Sequence, residues 1–266
     1  MARILAVAMQ KGGVGKTTTA INMAAGFAYH DERVLLVDLD PQANATSGLG
    51  VTLEREDPTL ADVIRGGASP EEAVCSTGVK KLDLLPASLD LSGLDELKED
   101  SSDYNVLKEV LSPLQSEYDR WLLDCPPNLG PLTLNGLCAA HELLIPLQAE
   151  YYALEGLTQL WKTVRRIQQD LNPGLTLAGI LLTMYDRRTN LADDVREEVE
   201  EHFEDELLET IIPRNIRVSE APGHGQPVLT YAPHSSGTEA YESAVEEVLN
   251  REQRSSGSRA RRAAVE

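Results

Sequence analysis

The stretch at residues 9–19, M-Q-K-G-G-V-G-K-T-T-T, restricts what this chain can fold into more than any other. It follows an apolar run at residues 3–9 and precedes A-I-N-M-A-A at residues 20–25. An apolar run, a glycine-rich turn and a helix-forming segment in that order predict a buried strand, a loop and a helix start. Gly12, Gly13 and Gly15 carry no Cβ, so successive backbone N–H groups can turn inward and approach an anion. A helix opening at Lys16 or Thr17 adds unpaired N–H groups and the positive end of its dipole. This is a phosphate cradle, and Lys11, Gly12, Gly13, Val14, Gly15, Lys16, Thr17 and Thr18 are its candidate nucleotide-binding residues. Lys16 would reach the β- and γ-phosphates and the Thr17 hydroxyl would ligate Mg²⁺. The usual phosphate loop has glycine where this chain has Gln10, and a second lysine, Lys11, opens the loop.

Two carboxylate sites join the cradle. Residues 34–37, V-L-L-V, form a short continuous apolar run that ends in Asp38-Leu39-Asp40-Pro41-Gln42, as a fully buried parallel strand would. Trp121-Leu122-Leu123 ends in Asp124, which is placed to hold Mg²⁺ directly or through water. Either Asp38 or Asp40 could orient the water that attacks a γ-phosphate. Further strand-like runs lie at residues 82–86, 143–146, 175–184 and 210–213, with helical patterns at 104–114, 154–171 and 191–203. Alternating strands and helices predict an α/β fold of the P-loop NTPase type, a mostly parallel twisted sheet with helices on both faces. Sites are then expected at the carboxyl ends of the strands.

No linker or internal repeat divides the chain, so residues 1–250 are expected to form one ATPase domain. Residues 251–266 hold five arginines, two acids and almost no large apolar residue, a composition that predicts a disordered basic tail. A membrane-binding terminal helix needs bulky apolar residues opposite its basic face, so no membrane anchor is expected. No signal peptide is recognisable and a cytoplasmic protein is expected. The isolated cysteines Cys75, Cys125 and Cys138 read as small core residues. The net charge of −19, from 43 acids against 24 bases of which only 7 are lysine, opposes nucleic-acid binding at low salt and suggests a halophilic, high-salt cytosol.

Residues 11–18, K-G-G-V-G-K-T-T, resemble the deviant Walker A motif of the ParA/MinD family. Val37-Asp38-Leu39-Asp40-Pro41-Gln42 with Asn44-Ala45-Thr46 resembles its second motif, and Leu123-Asp124-Cys125-Pro126-Pro127 its third. Residues 146–156, 183–186, 212–217 and 220–222 are similar to the ParA/Soj branch of that family, so the resemblance runs from about residue 3 to residue 250. It implies an ATPase acting as an ATP-sandwich homodimer, with Lys11 crossing to the partner's nucleotide and Lys16 binding phosphate. Thr17, Asp124 and Asp40 are implied at the metal, Asp40 also in hydrolysis, and Pro213, Arg214 and Asn215 near the adenine. The dimer is implied to bind DNA without sequence preference, through Arg187, Arg188 and Arg217, and so to be nucleoid-associated. A ParB-like activator is implied to stimulate hydrolysis and release it, segregating chromosome or plasmid DNA. A MinD-like ATPase that positions division machinery, or a relative that carries a protein cargo, is the alternative. Gln226 stands where relatives often carry lysine, which weakens the expected phosphate attraction.

Overall fold

A computed structural model describes residues 2–96, 104–151 and 153–263, without side chains for 95–96 and 255–263. Eight strands form one sheet: β1 (Arg3–Val7), β2 (Val34–Asp38), β3 (Cys75–Ser76), β4 (Leu82–Leu85), β5 (Arg120–Asp124), β6 (Glu142–Gln148), β7 (Thr176–Tyr185) and β8 (Leu207–Pro213). Their order is β3-β4-β2-β5-β1-β6-β7-β8. Every pairing is parallel except that of the two-residue edge strand β3 with β4, a strand the sequence pattern did not signal. The mostly parallel sheet is therefore as expected.

The continuous apolar runs are explained by burial on both faces. Ile4, Ala6, Leu35, Val37, Trp121 and Leu123 point into one core layer. Leu5, Val7, Val34, Leu36, Leu122 and Leu144 point into the other. The first layer lies under helices that include Pro131–Ala139, Ala153–Asp170 and Asn190–Phe203. The second is covered by the helix that follows the phosphate loop, Lys16–Tyr29, and by the C-terminal helix, Ser236–Ala263. These two helices touch closely at Gly26, where an added Cβ would come within 2.5 Å of Val245 Cγ2. Among the described residues no helix is long and apolar enough to cross a membrane.

The C-terminal helix runs past the expected boundary at residue 250. It continues without a break from Ser236 to Ala263, through the segment whose composition reads as disorder. Its junction with the tail is tied to the body by polar contacts that composition cannot show. Arg251 donates to the carbonyls of Asp205 and Leu207, at 2.9 and 2.6 Å, and to Glu247. The Glu247 carboxylate accepts the N–H groups of Glu209 and Thr210, both at 2.9 Å, and so covers part of the free edge of β8. Glu252 is 7% exposed and binds Arg120 at 2.7 and 3.0 Å.

Arg120 opens β5 at the end of the sheet opposite the phosphate loop. Its guanidinium also binds Glu32, at 2.6 Å, and lies 3.9 Å from the ring centroid of Phe27. Burial works against the Arg120 charge, but the hydrogen bonds it donates to Glu252 and Glu32 more than offset it and hold its pKa above the ordinary value. Removing one member of such a network leaves the others charged and buried. Arg120→Ala is therefore expected to lower unfolding free energy by about 3–5 kcal/mol in urea titrations, whereas a loss under ~1 kcal/mol would show that the network carries little stability.

Candidate functional site

Three strands bring the site together. β1, β2 and β5 are neighbours, and their parallel registers place Val7 opposite Asp124 and Asp38 opposite Asp124. The loop after β1 turns through Gly13 (φ +76°) and Gly15 (φ +87°), conformations that a side chain would strain. An added Cβ would meet nothing within 4 Å at Gly12 or Gly13, so the missing side chains leave open space above the loop. Gly15 is the N-cap residue of the helix Lys16–Tyr29 and supplies no side-chain cap. The first helical N–H groups therefore remain available to an anion. From β7, the Thr183 hydroxyl donates to the Val14 carbonyl at 2.8 Å and braces the loop, a role the sequence alone does not reveal.

Lys16 is 7% exposed, and its ammonium donates to the Lys11 carbonyl at 3.1 Å. Burial lowers its pKa, while Asp124 and Asp40 oppose that shift. Asp124 is fully buried, and neither carboxylate oxygen has a hydrogen-bond partner among the described residues. Burial, then the neighbouring Asp38, raises the Asp124 pKa well above the usual carboxylate range, and the nearby Thr17 hydroxyl, outside hydrogen-bond geometry, only partly relieves it. An orphaned buried carboxylate beside a threonine hydroxyl and an open anion cradle fits a Mg²⁺ ion carried in with phosphates. No cluster of three or more His, Cys, Asp or Glu able to hold a metal occurs among the described residues. That suits Mg²⁺, which keeps several waters and takes only one or two protein ligands beside phosphates.

Asp38 and Asp40 separate into different roles. Asp38 is fully buried and accepts three hydrogen bonds, from the Asp40 N–H, the Thr46 N–H and the Thr46 hydroxyl. Burial pushes its pKa up to about 6, against those hydrogen bonds. Asp40 is 7% exposed, and its Oδ1 is engaged by the Gln42 N–H at 2.9 Å. Asp40 Oδ2 thus carries no hydrogen bond among the described residues, whereas both oxygens of Asp38 are engaged.

Lys11 forms an ion pair with Glu150 at 2.8 Å, just beyond the end of β6, and the Gln148 amide holds the other Glu150 oxygen. Glu150 stands in a stretch already notable in the sequence, but its pairing with Lys11 spans 139 residues and carried no local signal. Residues 213–215 end β8 at the same edge of the sheet, three strand positions from β1 or about 14 Å at ordinary strand spacing. Asn215 caps the helix Ile216–Glu220, accepting from the Arg217 N–H at 2.7 Å, and donates to Ser236 at 2.9 Å. Arg187, Arg188, Arg214 and the 75%-exposed Ile216 line one shallow hollow at this corner. Arg188 is paired to Asp186 at 2.6 Å and Arg217 to Glu220 at 2.9 Å. The Arg188 hydrogen bonds hold the Asp186 carboxyl well below the usual range.

Cys125 and Cys138 are buried, as read from the sequence, whereas Cys75 is only half-buried at the edge of the core. Burial pushes the Cys75 and Cys138 thiols up to about 11 and raises the Cys125 thiol as well.

Comparison with known proteins decides the lineage. The family described as AAA domain matches residues 2–177. Sporulation initiation inhibitor protein Soj of Bacillus subtilis is 48% identical over 249 residues, 93% of this chain and 98% of that protein. The chromosome-partitioning ATPase Soj of Treponema pallidum is 47% identical over 253 residues, 95% of this chain and 99% of that one. The chain belongs to the Soj/ParA family of partitioning ATPases. Among solved structures, a cobyrinic acid a,c-diamide synthase from Mycobacterium smegmatis with bound ATP analogue and magnesium superposes with a TM-score of 0.82. It shares 37% identity over 95% of this chain and 96% of its own.

The surroundings of Asp124 in this Soj/ParA member give a direct test. Asp124 and Asp40 both act on the Lys16 ammonium, so Asp40 still opposes its loss of charge if Asp124 is neutralised. Because the folded pKa of Asp124 is raised, its share of stability is complete below the ordinary carboxylate value and is lost as pH climbs through the raised one. Asp124→Asn removes that loss. The nucleotide-free variant is expected to melt higher near neutral pH, by about 1–3 kcal/mol, with a gap that shrinks toward acid pH. A gap independent of pH, or a less stable variant at neutral pH, would refute this account.

Proposed function

We propose that this ATPase works as an ATP-dependent homodimer that binds DNA without sequence preference, is stimulated to hydrolyse ATP by a ParB-like activator, and so segregates chromosomal or plasmid DNA. The observation that carries the reading is the loop with two lysines. Lys16 is buried beneath the cradle, while Lys11 stands at its rim with its side chain 33% exposed and paired with Glu150. Lys16 serves the nucleotide of its own subunit. Lys11 is able to turn toward a second subunit, where its charge adds to the stabilisation of developing negative charge. Bound Mg²⁺ would supply charge neutralisation at the phosphates, held by Thr17 and Asp124 with Asp40 close by. Asp40 orients the attacking water and residues 213–215 border the base.

The arginine corner supplies the DNA contact on this reading. A net charge of −19 repels DNA at long range, so on this reading local attraction comes from Arg187, Arg188 and Arg217. Asp186 and Glu220 neutralise two of these in part, which makes each subunit a weak binder and a dimer a better one. The excess of acids suits a high-salt cytosol, where screening confines each charge to about 3 Å at 1 M.

Binding of non-specific duplex DNA, measured with ATP, with ADP and without nucleotide over a salt series, tests the proposal. Binding is expected with ATP alone, and to strengthen in Asp40→Ala. Replacing Arg187 and Arg188 together by alanine should flatten the log–log salt dependence by about one unit for each phosphate that is no longer neutralised. Lys11→Ala is expected to bind ATP and remain monomeric. ATP-dependent dimers that bind no DNA at any salt would overturn the DNA reading and leave a protein cargo or a division apparatus as the object positioned.

A further inference from the structure

One carboxylate folds the loop after β2 back on itself. Asp38 Oδ2 accepts the Thr46 N–H at 2.9 Å and the Thr46 hydroxyl at 2.8 Å, while Oδ1 accepts the Asp40 N–H at 3.1 Å. The Thr46 hydroxyl in turn accepts the Ala87 N–H at 3.1 Å, from the segment that follows β4. Thr46 is only 4% exposed. A single buried hydroxyl therefore joins the carboxylate beneath the Asp40 loop to the backbone beyond the neighbouring strand.

The loop needs such a fastening. Ala43 stands at φ +52°, a left-handed conformation that is unfavourable for a residue with a Cβ and persists only where the surroundings hold it. The turn around it is built on Asp40, whose carbonyl accepts the Ala43 N–H at 2.8 Å and whose Oδ1 accepts the Gln42 N–H. The short helix Asn44–Gly48 follows at once and carries Thr46. The backbone that aims Asp40 is thus closed at one end by β2 and at the other by the Thr46 hydroxyl.

We propose that Thr46 is a positioning residue for ATP hydrolysis, its hydroxyl fixing the loop that presents Asp40 to the attacking water. This rests on the reading of Asp40 as the carboxylate that orients that water. Both partners of the hydroxyl are protein groups, so Thr46 acts through Asp40 and not on the phosphates. Valine has nearly the shape of threonine but neither donates nor accepts, whereas serine keeps the hydroxyl.

The test compares Thr46→Val, Thr46→Ser and Asp40→Ala by ATP turnover and by hydrogen exchange of the nucleotide-free protein. Thr46→Val is expected to lower kcat about tenfold to a hundredfold with the KM for ATP within about threefold, as a misplaced catalytic group would. Exchange at the Ala87 amide should quicken while the amides of β2 and β5 stay protected, and Thr46→Ser should restore both properties. A Thr46→Val protein with a freed Ala87 amide and a native kcat would overturn the proposal. If Thr46→Val exposes β2 and β5 as well, Thr46→Ala against Thr46→Ser decides it, since equal turnover in those two refutes a role for the hydroxyl. Native turnover in Asp40→Ala would instead refute the reading of Asp40. An inactive Asp40→Ala beside an active Thr46→Val would refute the positioning role alone.

Discussion

Asp38 and Asp124 end neighbouring parallel strands side by side, both fully buried, with a buried lysine near Asp124. Most of the molecule can be understood as the means of holding that charge imbalance in place. A buried carboxylate without a partner is costly, and its burial raises its pKa instead of leaving it ionised at ease. Asp38 is settled by three hydrogen bonds from its own loop. Asp124 has no such settlement, and both its oxygens remain unpaired among the described residues. The contrast separates a carboxylate satisfied by its own loop from one left without a partner, which the proposed reading gives to Mg²⁺.

Rigidity at this edge depends on contacts at the opposite edge. The parallel strands can present their carboxyl ends in register only if their amino ends are fixed. There Arg120, Glu32 and Glu252 tie β5 to the turn before β2 and to the C-terminal helix. Arg3 extends the tie to β6 through Glu142 at 2.7 Å and approaches Glu252 at 3.2 Å. Because these side chains are largely buried, their attraction is screened far less by salt than that of exposed pairs. The C-terminal helix is thus part of the frame, and residues 251 and 252 are bonded to it.

Much of this was legible in the sequence because burial on both faces leaves a plain mark. β2, β5 and β6 are runs of leucine, valine and isoleucine, and the phosphate loop sits between a strand and a helix as its spacing requires. β3 escaped because two residues cannot show a period. The helix beyond residue 250 escaped because serine, glycine and arginine look disordered by composition, while the ties of Arg251 and Glu252 depend on partners far away in the chain. In the site, two aspartates at one strand end look equivalent. The family resemblance favours Asp40, but the physical reason shows only in the folded loop, because the groups that engage Asp38, Thr46 and through it the Ala87 N–H, lie eight and forty-nine residues beyond it.

The Lys11–Glu150 pair bears on how such an enzyme can change state. Both side chains are substantially exposed, at 33% and 47%. Exposed pairs of this kind are worth about 0–1 kcal/mol, because water screens the attraction and the long side chains lose freedom. The pair therefore gives Lys11 a defined resting position that is easily left. On the proposed reading, a phosphate across a closing dimer interface offers the same ammonium more negative charge with less water, where attraction is stronger. Lys16 has no comparable freedom, since burial and the carbonyl of Lys11 fix it within its own loop. On the same reading one lysine is kept by the fold for its own nucleotide, and the other remains available because its ion pair with Glu150 is weak.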